Sequence, residues 1–165
     1  FPGVVIDGIV HTAPNLDPSW AGVDLDGAVT KLTRRSTRTL NDAAIQGFGA
    51  IRGRGVELTI TLGTGFGSAL FVDGACVPLE LGHHPWRKGD SYEDQLGNEQ
   101  LEKLGKKKWR RRVLEALPTL QPIFNPRVIY VGGGNARLLE KADLPENVKI
   151  VANAAGMLGG IALWK

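Results

Sequence analysis

Two apolar, β-branched runs, Val56 to Leu62 and Ser68 to Val72, are joined by five residues, Gly63-Thr64-Gly65-Phe66-Gly67. No other stretch limits the fold as tightly, because strands joined so closely form a hairpin. Glycine at three alternate positions lets the connector turn its N–H groups outward, and the hydroxyls of Thr64 and Ser68 would add donors. A concavity of such groups suits a phosphate. No Lys-Ser or Lys-Thr follows, so this is not the loop of nucleotide hydrolases, and no helix follows as a dinucleotide fingerprint requires. A glycine-rich hairpin with no ligand is the alternative.

Around this pair, strands and helices alternate. Val4-Val5-Ile6 and Ile9-Val10 flank an Asp7-Gly8 turn. Leu25, Val29 and Leu32 recur at helical spacing, and Arg34-Arg35 closes that helix with favourable charge. Thr37 to Leu40 reads as a short strand. Asn41-Asp42 then opens a helix whose apolar face is Ala43, Ala44, Ile45 and Phe48. Asp73-Gly74 turns the chain into Cys76-Val77, and Leu81 to Gly89 reads as irregular. Helices are predicted over about Tyr92 to Leu104 and Lys107 to Phe124, the second bent near Pro118. A strand from Val128 to Val131 runs into Gly132-Gly133-Gly134. A helix over Ala136 to Lys141, a strand over Val148 to Val151 and a helix over Gly156 to Trp164 complete the chain. The pattern predicts an α/β domain with a mixed sheet flanked by helices. At 165 residues, 42% hydrophobic, the chain can bury one core and part of another.

Several groups could carry chemistry. The turn Gly132-Gly133-Gly134-Asn135 follows a strand, where α/β sheets bind ligands, although a plain strand-to-helix turn reads the same way. Asp42 is the best placed carboxylate: it could accept a proton from a substrate hydroxyl, or simply cap its helix. Glu80-Leu81-Gly82-His83-His84 sets a carboxylate beside imidazoles, a combination suited to vicinal hydroxyls. It lacks the spacing and third strong ligand of a metal site. The single cysteine, Cys76, excludes an internal disulfide and a multi-cysteine zinc site, and fits a reducing, cytoplasmic setting. No apolar run approaches the roughly 20 residues of a membrane span. Net charge is +3, yet seven of the ten residues from Lys103 to Arg112 are basic. That block could track a polyanion, or form a solvated helix face with Trp109 turned inward.

Taken in order, these segments resemble the ROK sugar kinases, on their glucokinase and polyphosphate-glucokinase side. Pro2-Gly3-Val4-Val5, Gly8 and Ala13-Pro14-Asn15-Leu16 with Trp20 resemble the family's sugar-side loop. Asn41-Asp42-Ala43 resembles its catalytic motif, and Leu62 to Ala69 its second phosphate motif. Glu80-Leu81-Gly82-His83 resembles the sugar signature, Glu93 falls where a further sugar-contacting glutamate is expected, and Val131 to Gly134 resembles the adenosine-side motif. The resemblance covers essentially the whole chain. It departs in two places: Trp86 to Tyr92 lacks the zinc-binding cysteines of most members, as in the polyphosphate branch, and the family's first phosphate motif, Asp-x-Gly-x-Thr, is absent.

The resemblance implies a ribonuclease-H-like (actin/hexokinase-type) fold. Residues 1–40 would be a remnant of the small domain, 41–152 the large domain, and 153–165 a helix packing back on the small one. It implies phosphoryl transfer from ATP or polyphosphate to the 6-hydroxyl of glucose. Asp42 would be the base; Asn15, Asn41, Glu80, His83 and Glu93 would orient the sugar; Gly63, Thr64, Gly65, Gly67, Gly132, Gly133 and Gly134 would hold the donor. Mg²⁺ would come with the donor, no zinc is expected, and the family implies a homodimer. Residues are expected upstream of Phe1. The rivals are a non-catalytic sugar-binding regulator or pseudokinase, and a polyanion or nucleic-acid binder acting through Lys103–Arg112. Nucleic acid has thin support, since no recognition helix or aromatic platform accompanies the block.

Overall fold

A computed structural model describes residues 1–14 and 16–164, and the chain divides into two compact units, Phe1–Asp42 and Ala43 onward.

In the first unit, β1 (Val5–Ile6) and β2 (Ile9–Val10) pair antiparallel. Asp7 and Gly8 both have positive φ, 50° and 79°, as the tight turn between twisted strands demands. Helix α1 (Leu25–Thr33) starts where the Asp24 carboxylate accepts the Gly27 N–H at 2.8 Å, and ends at Arg34 in the left-handed region. Leu32 is 85% exposed, so the expected apolar stripe of this helix is not closed. The strand expected over Thr37 to Leu40 does not form. Thr37 instead bonds locally, its hydroxyl donating to the Arg35 carbonyl at 3.3 Å.

Helix α2 (Asp42–Phe48) leads into the second unit. Here β3 (Val56–Leu62), β4 (Phe66–Val72), β5 (Ala75–Pro78), β8 (Val128–Gly132) and β9 (Val148–Ile150) form one sheet in the order β5-β4-β3-β8-β9. The β3–β4 and β4–β5 pairs are antiparallel, and the β3–β8 and β8–β9 pairs are parallel. The sheet is therefore mixed, as the sequence pattern predicts. Central β3 is buried at every residue but Val56, its polar Glu57, Thr59 and Thr61 included. Helix α5 (Lys106–Phe124) passes through Pro118 and Pro122 and buries Trp109, Val113, Leu117 and Leu120 in the core. The core is made by Leu58, Ile60, Leu62, Phe66, Tyr92, Ile129 and Val131 with those residues.

Four expectations are corrected. Leu81 to Gly89 is not all irregular, because β6 (Pro85–Arg87) pairs with β7 (Asp90–Ser91) across Lys88 and Gly89, both at positive φ. The helix from Tyr92 to Leu104 is two: α3 (Tyr92–Leu96) and α4 (Asn98–Leu104), separated by an extended Gly97. The helix over Ala136 to Lys141 is replaced by two short 3₁₀ turns, Gly134–Leu138 and Lys141–Asp143. The last helix, α6, covers Ala154–Ala162. No helix among the described residues is long and apolar enough to cross a membrane.

Candidate functional site

The connector expected over Gly63–Gly67 is shorter in the structure, only Gly63-Thr64-Gly65, because Phe66 and Gly67 already pair with Leu62 and Thr61 in β4, and this turn is held from several sides. Gly97 packs so closely that a Cβ there would lie 3.0 Å from the Thr64 carbonyl oxygen, and the neighbouring Asn98 N–H donates to that oxygen at 3.1 Å. That contact is the physical reason for the break between α3 and α4. The Asn135 side-chain amide, in the turn after β8, donates to the Gly63 carbonyl at 3.3 Å and meets the Asn98 side chain at 3.4 Å. Exposed Thr64 keeps its hydroxyl unpartnered among the described residues. Ser68 is different. Its buried hydroxyl donates to the Leu79 carbonyl at 3.0 Å and accepts the Leu81 N–H at 2.9 Å, so it is spent on the loop that carries Glu80. The expectation that Ser68 adds a phosphate donor is overturned, because Ser68 is buried in β4 with its hydroxyl bonded to Leu79 and Leu81.

Glu93, in the first turn of α3, links the connector to the imidazole. One carboxylate oxygen accepts the Phe66 N–H at 3.0 Å, and the other lies 3.9 Å from His83 Nε2. On its far side, His83 Nδ1 lies 3.4 Å from Glu80. An imidazole thus stands between two carboxylates, all three partly exposed, with His83 the most open at 43%. The approach of Glu93 requires glycine at position 65: a Cβ there would sit 2.1 Å from the carboxylate oxygen. The backbone N–H of Glu93 is also anchored, to the Gly82 carbonyl at 2.8 Å. Within the second unit the structure therefore brings together Glu80, His83, Glu93, Gly63, Thr64, Gly65 and Gly67. Two carboxylates and an imidazole can accept from and donate to neighbouring hydroxyls, while the exposed face of the glycine turn offers backbone N–H groups.

Gly132, Gly133 and Gly134 follow at the carboxyl end of β8, with Gly133 at φ 83°. Asn41 precedes α2, and Asp42 is its exposed first residue, followed by buried Ala43 and Ala44. Asn15 lies outside the described residues. Sequence reasoning missed Asn98 and Gln46, and named Asn135 only as part of its turn. Asn98 and Asn135 clamp the connector, and Gln46 is buried against Gly132 with its carbonyl oxygen unpartnered among the described residues. Gln46 follows Asp42 by four residues on α2, and that i,i+4 spacing was the available signal. Among the described residues no group of three His, Cys, Asp or Glu is arranged to hold a metal ion.

No family model matches the chain. Polyphosphate glucokinase of Mycobacterium tuberculosis strain H37Rv is 31% identical over 175 residues, covering 96% of this chain and 66% of the relative. Inorganic polyphosphate/ATP-glucomannokinase of Arthrobacter sp. strain KM superimposes with a TM-score of 0.83 at 32% identity, over 100% of this chain and 72% of that one. The chain belongs to the ROK sugar kinases, on the polyphosphate glucokinase branch. A ROK family glucokinase from Streptomyces griseus shares the fold at 18% identity, with a TM-score of 0.75 over 98% of this chain and 78% of that one. The mixed sheet with flanking helices is thus the ribonuclease-H-like core of hexokinase-type kinases. The chain spans just under two thirds, 66%, of the length of its mycobacterial relative.

Proposed function

We propose that this chain is the sugar- and donor-holding part of a glucokinase-type phosphotransferase, which moves a terminal phosphoryl group from ATP or polyphosphate to the 6-hydroxyl of glucose. The observation that carries this reading is Glu93, whose carboxylate touches both the glycine connector and His83. A sugar bound across Glu80, His83 and Glu93 would lie beside a donor seated on Gly63, Thr64, Gly65 and Gly67; Asn15 and Asn41 are the further sugar contacts that the family resemblance implies. Asp42 would take the proton as the hydroxyl attacks, and the site's remaining work is positioning and charge stabilisation. A nucleotide donor would extend toward Gly132, Gly133 and Gly134, at the carboxyl edge of the sheet. Mg²⁺ would be held through the donor's phosphates, whose charge it neutralises.

The named activities of the relatives support a kinase over a sugar-sensing regulator. The test is Asp42→Asn in the full-length protein. Glucose affinity, measured by calorimetry, is expected to stay within a few-fold, while phosphorylation falls by about 10²- to 10⁴-fold, the usual contribution of a general base. Undiminished phosphorylation would overturn the base assignment.

A further inference from the structure

We propose that Asn135 is a positioning residue that sets the preference between the two donors, because its side chain fixes the register of two glycine turns that a nucleotide must touch at once. The inference rests on the phosphotransferase reading above and deepens it at the donor. A nucleotide seated in that way places its phosphates on Gly63-Thr64-Gly65 and its nucleoside toward Gly132-Gly133-Gly134. A polyphosphate repeats one chemical unit and has no nucleoside to place at the second turn. Only the nucleotide therefore depends on how the two turns stand to each other.

Two contacts join the turns. Gly133, at φ 83°, packs on the backbone of Leu62, and a Cβ there would lie 2.3 Å from the Leu62 carbonyl oxygen. This contact sets how close the turns come. Asn135 sets their register. It is the second residue of the 3₁₀ turn Gly134–Leu138, and its side-chain nitrogen donates to the Gly63 carbonyl at 3.3 Å and to the Asn98 side-chain oxygen at 3.4 Å. Asn98 is itself held: its backbone N–H donates to the Thr64 carbonyl at 3.1 Å, and its side-chain nitrogen to Glu102 at 2.7 Å. A chain of side chains thus runs from Glu102 through Asn98 and Asn135 to the backbone of the first turn. Both Asn135 bonds are longer than the usual range of about 2.7–3.2 Å, so they have room to tighten on a bound ligand. The backbone is open at both ends of this link. Among the described residues, a Cβ added at Gly63 or at Gly134 would meet no atom within 4 Å beyond its chain neighbours. What such a link supplies is preorganisation: a ligand on both turns is spared the cost of ordering them, and a ligand on one turn is not affected by their register.

The experiment uses Asn135→Ala, Asn98→Ala and the double variant in the full-length protein, with a thermal melt to confirm folding. The probes are a non-hydrolysable ATP analogue and tripolyphosphate, which carries a nucleotide's phosphates without its nucleoside. Each is titrated by calorimetry in the presence of Mg²⁺. Asn135→Ala is expected to weaken the analogue about three- to tenfold more than tripolyphosphate, the worth of roughly one hydrogen bond. The ratio of the ATP KM to the polyphosphate KM should rise by the same factor. Asn98→Ala should show the same selectivity at smaller size, since Asn135 keeps its bond to Gly63. The double variant should fall short of the product of the two single effects, because both act through one link. Equal weakening of the two probes, or a greater loss of tripolyphosphate, would overturn the proposal. So would a wild type that binds the analogue no more tightly than tripolyphosphate. Should Asn135→Ala fail to fold, Asn98→Ala decides by the same comparison. If wild type phosphorylates glucose with neither donor, the phosphotransferase reading fails, and the binding comparison still decides the role of Asn135.

Discussion

Glu93 offers the sharpest test of how the two halves of the site depend on each other. Its carboxylate makes one charge-assisted bond, to the Phe66 N–H at 3.0 Å, and is 28% exposed. Hydrogen bonds to charged groups are worth about 1.5–3 kcal/mol, roughly twice a neutral bond. In Glu93→Gln the amide can still offer an oxygen to Phe66, but charge assistance is lost, which costs about 0.7–1.5 kcal/mol, or roughly three- to tenfold in affinity. Because the same group faces His83 at 3.9 Å, the loss should appear in both substrates' KM values. A residue that only contacts sugar would raise the glucose KM alone. The assay is a matrix of glucose and donor concentrations, with glucose 6-phosphate formation followed continuously in the full-length protein. Gly65→Ala approaches the same contact from the other side, since its Cβ would stand 2.1 Å from the carboxylate and push it away. The double variant should lose less than the sum of the two single changes, because both remove one contact. A glucose KM that rises while the donor KM stays within twofold, or strict additivity of the pair, would refute the linkage.

Two further predictions concern groups away from the site. Glu57 is buried in β3, where burial alone would push its carboxyl up. The backbone N–H groups of Arg52, Gly53 and Arg54 and the Tyr130 hydroxyl outweigh that and hold it below the usual carboxylate range. Its stabilisation is therefore full above the ordinary carboxylate value of 4.5 and is lost as pH falls through the lower folded value. Glu57→Gln should cost about 1–3 kcal/mol at pH 7 and flatten the loss of stability below that value. Urea melts at several pH values check this, and parallel profiles for variant and wild type would contradict it. Burial pushes the Cys76 thiol up from 9.0 to about 11, so its thiolate fraction at pH 8 falls about a hundredfold. Its alkylation should be slower than that of a free thiol by the same factor, and a rate near the free-thiol rate would contradict the burial argument.

What the sequence made legible was local or periodic. The runs on either side of Gly63–Gly67, the Asp7-Gly8 turn and the start of α2 at Asp42 follow from short-range chemistry, and the structure has them. The motif order carried the family. What it hid depended on contacts across the fold. Within Tyr92–Leu104 only Gly97-Asn98 hints at a break, and its cause is distant: Gly97 is extended beside the carbonyl of Thr64, thirty-odd positions upstream. The β6–β7 hairpin is too short to show alternation, and Thr37 to Leu40 has strand-forming residues but satisfies its hydroxyl locally. Ser68 looks like a phosphate donor in a linear motif, and only strand phase turns it inward.

That phase changes how the glycine connector itself is understood. In the sequence its glycines look like a means of exposing N–H groups to an anion. In the fold, the Phe66 N–H is already taken by a carboxylate, and the Gly63 and Thr64 carbonyls are held by Asn135 and Asn98. Glycine at 65 serves first to let Glu93 in. The connector's shape is consequently set by residues of α3, α4 and the turn after β8, one of which also faces His83. A substitution that shifts α3 by a fraction of an ångström must move the carboxylate, the Phe66 amide and the imidazole contact together, because all three meet at one side chain.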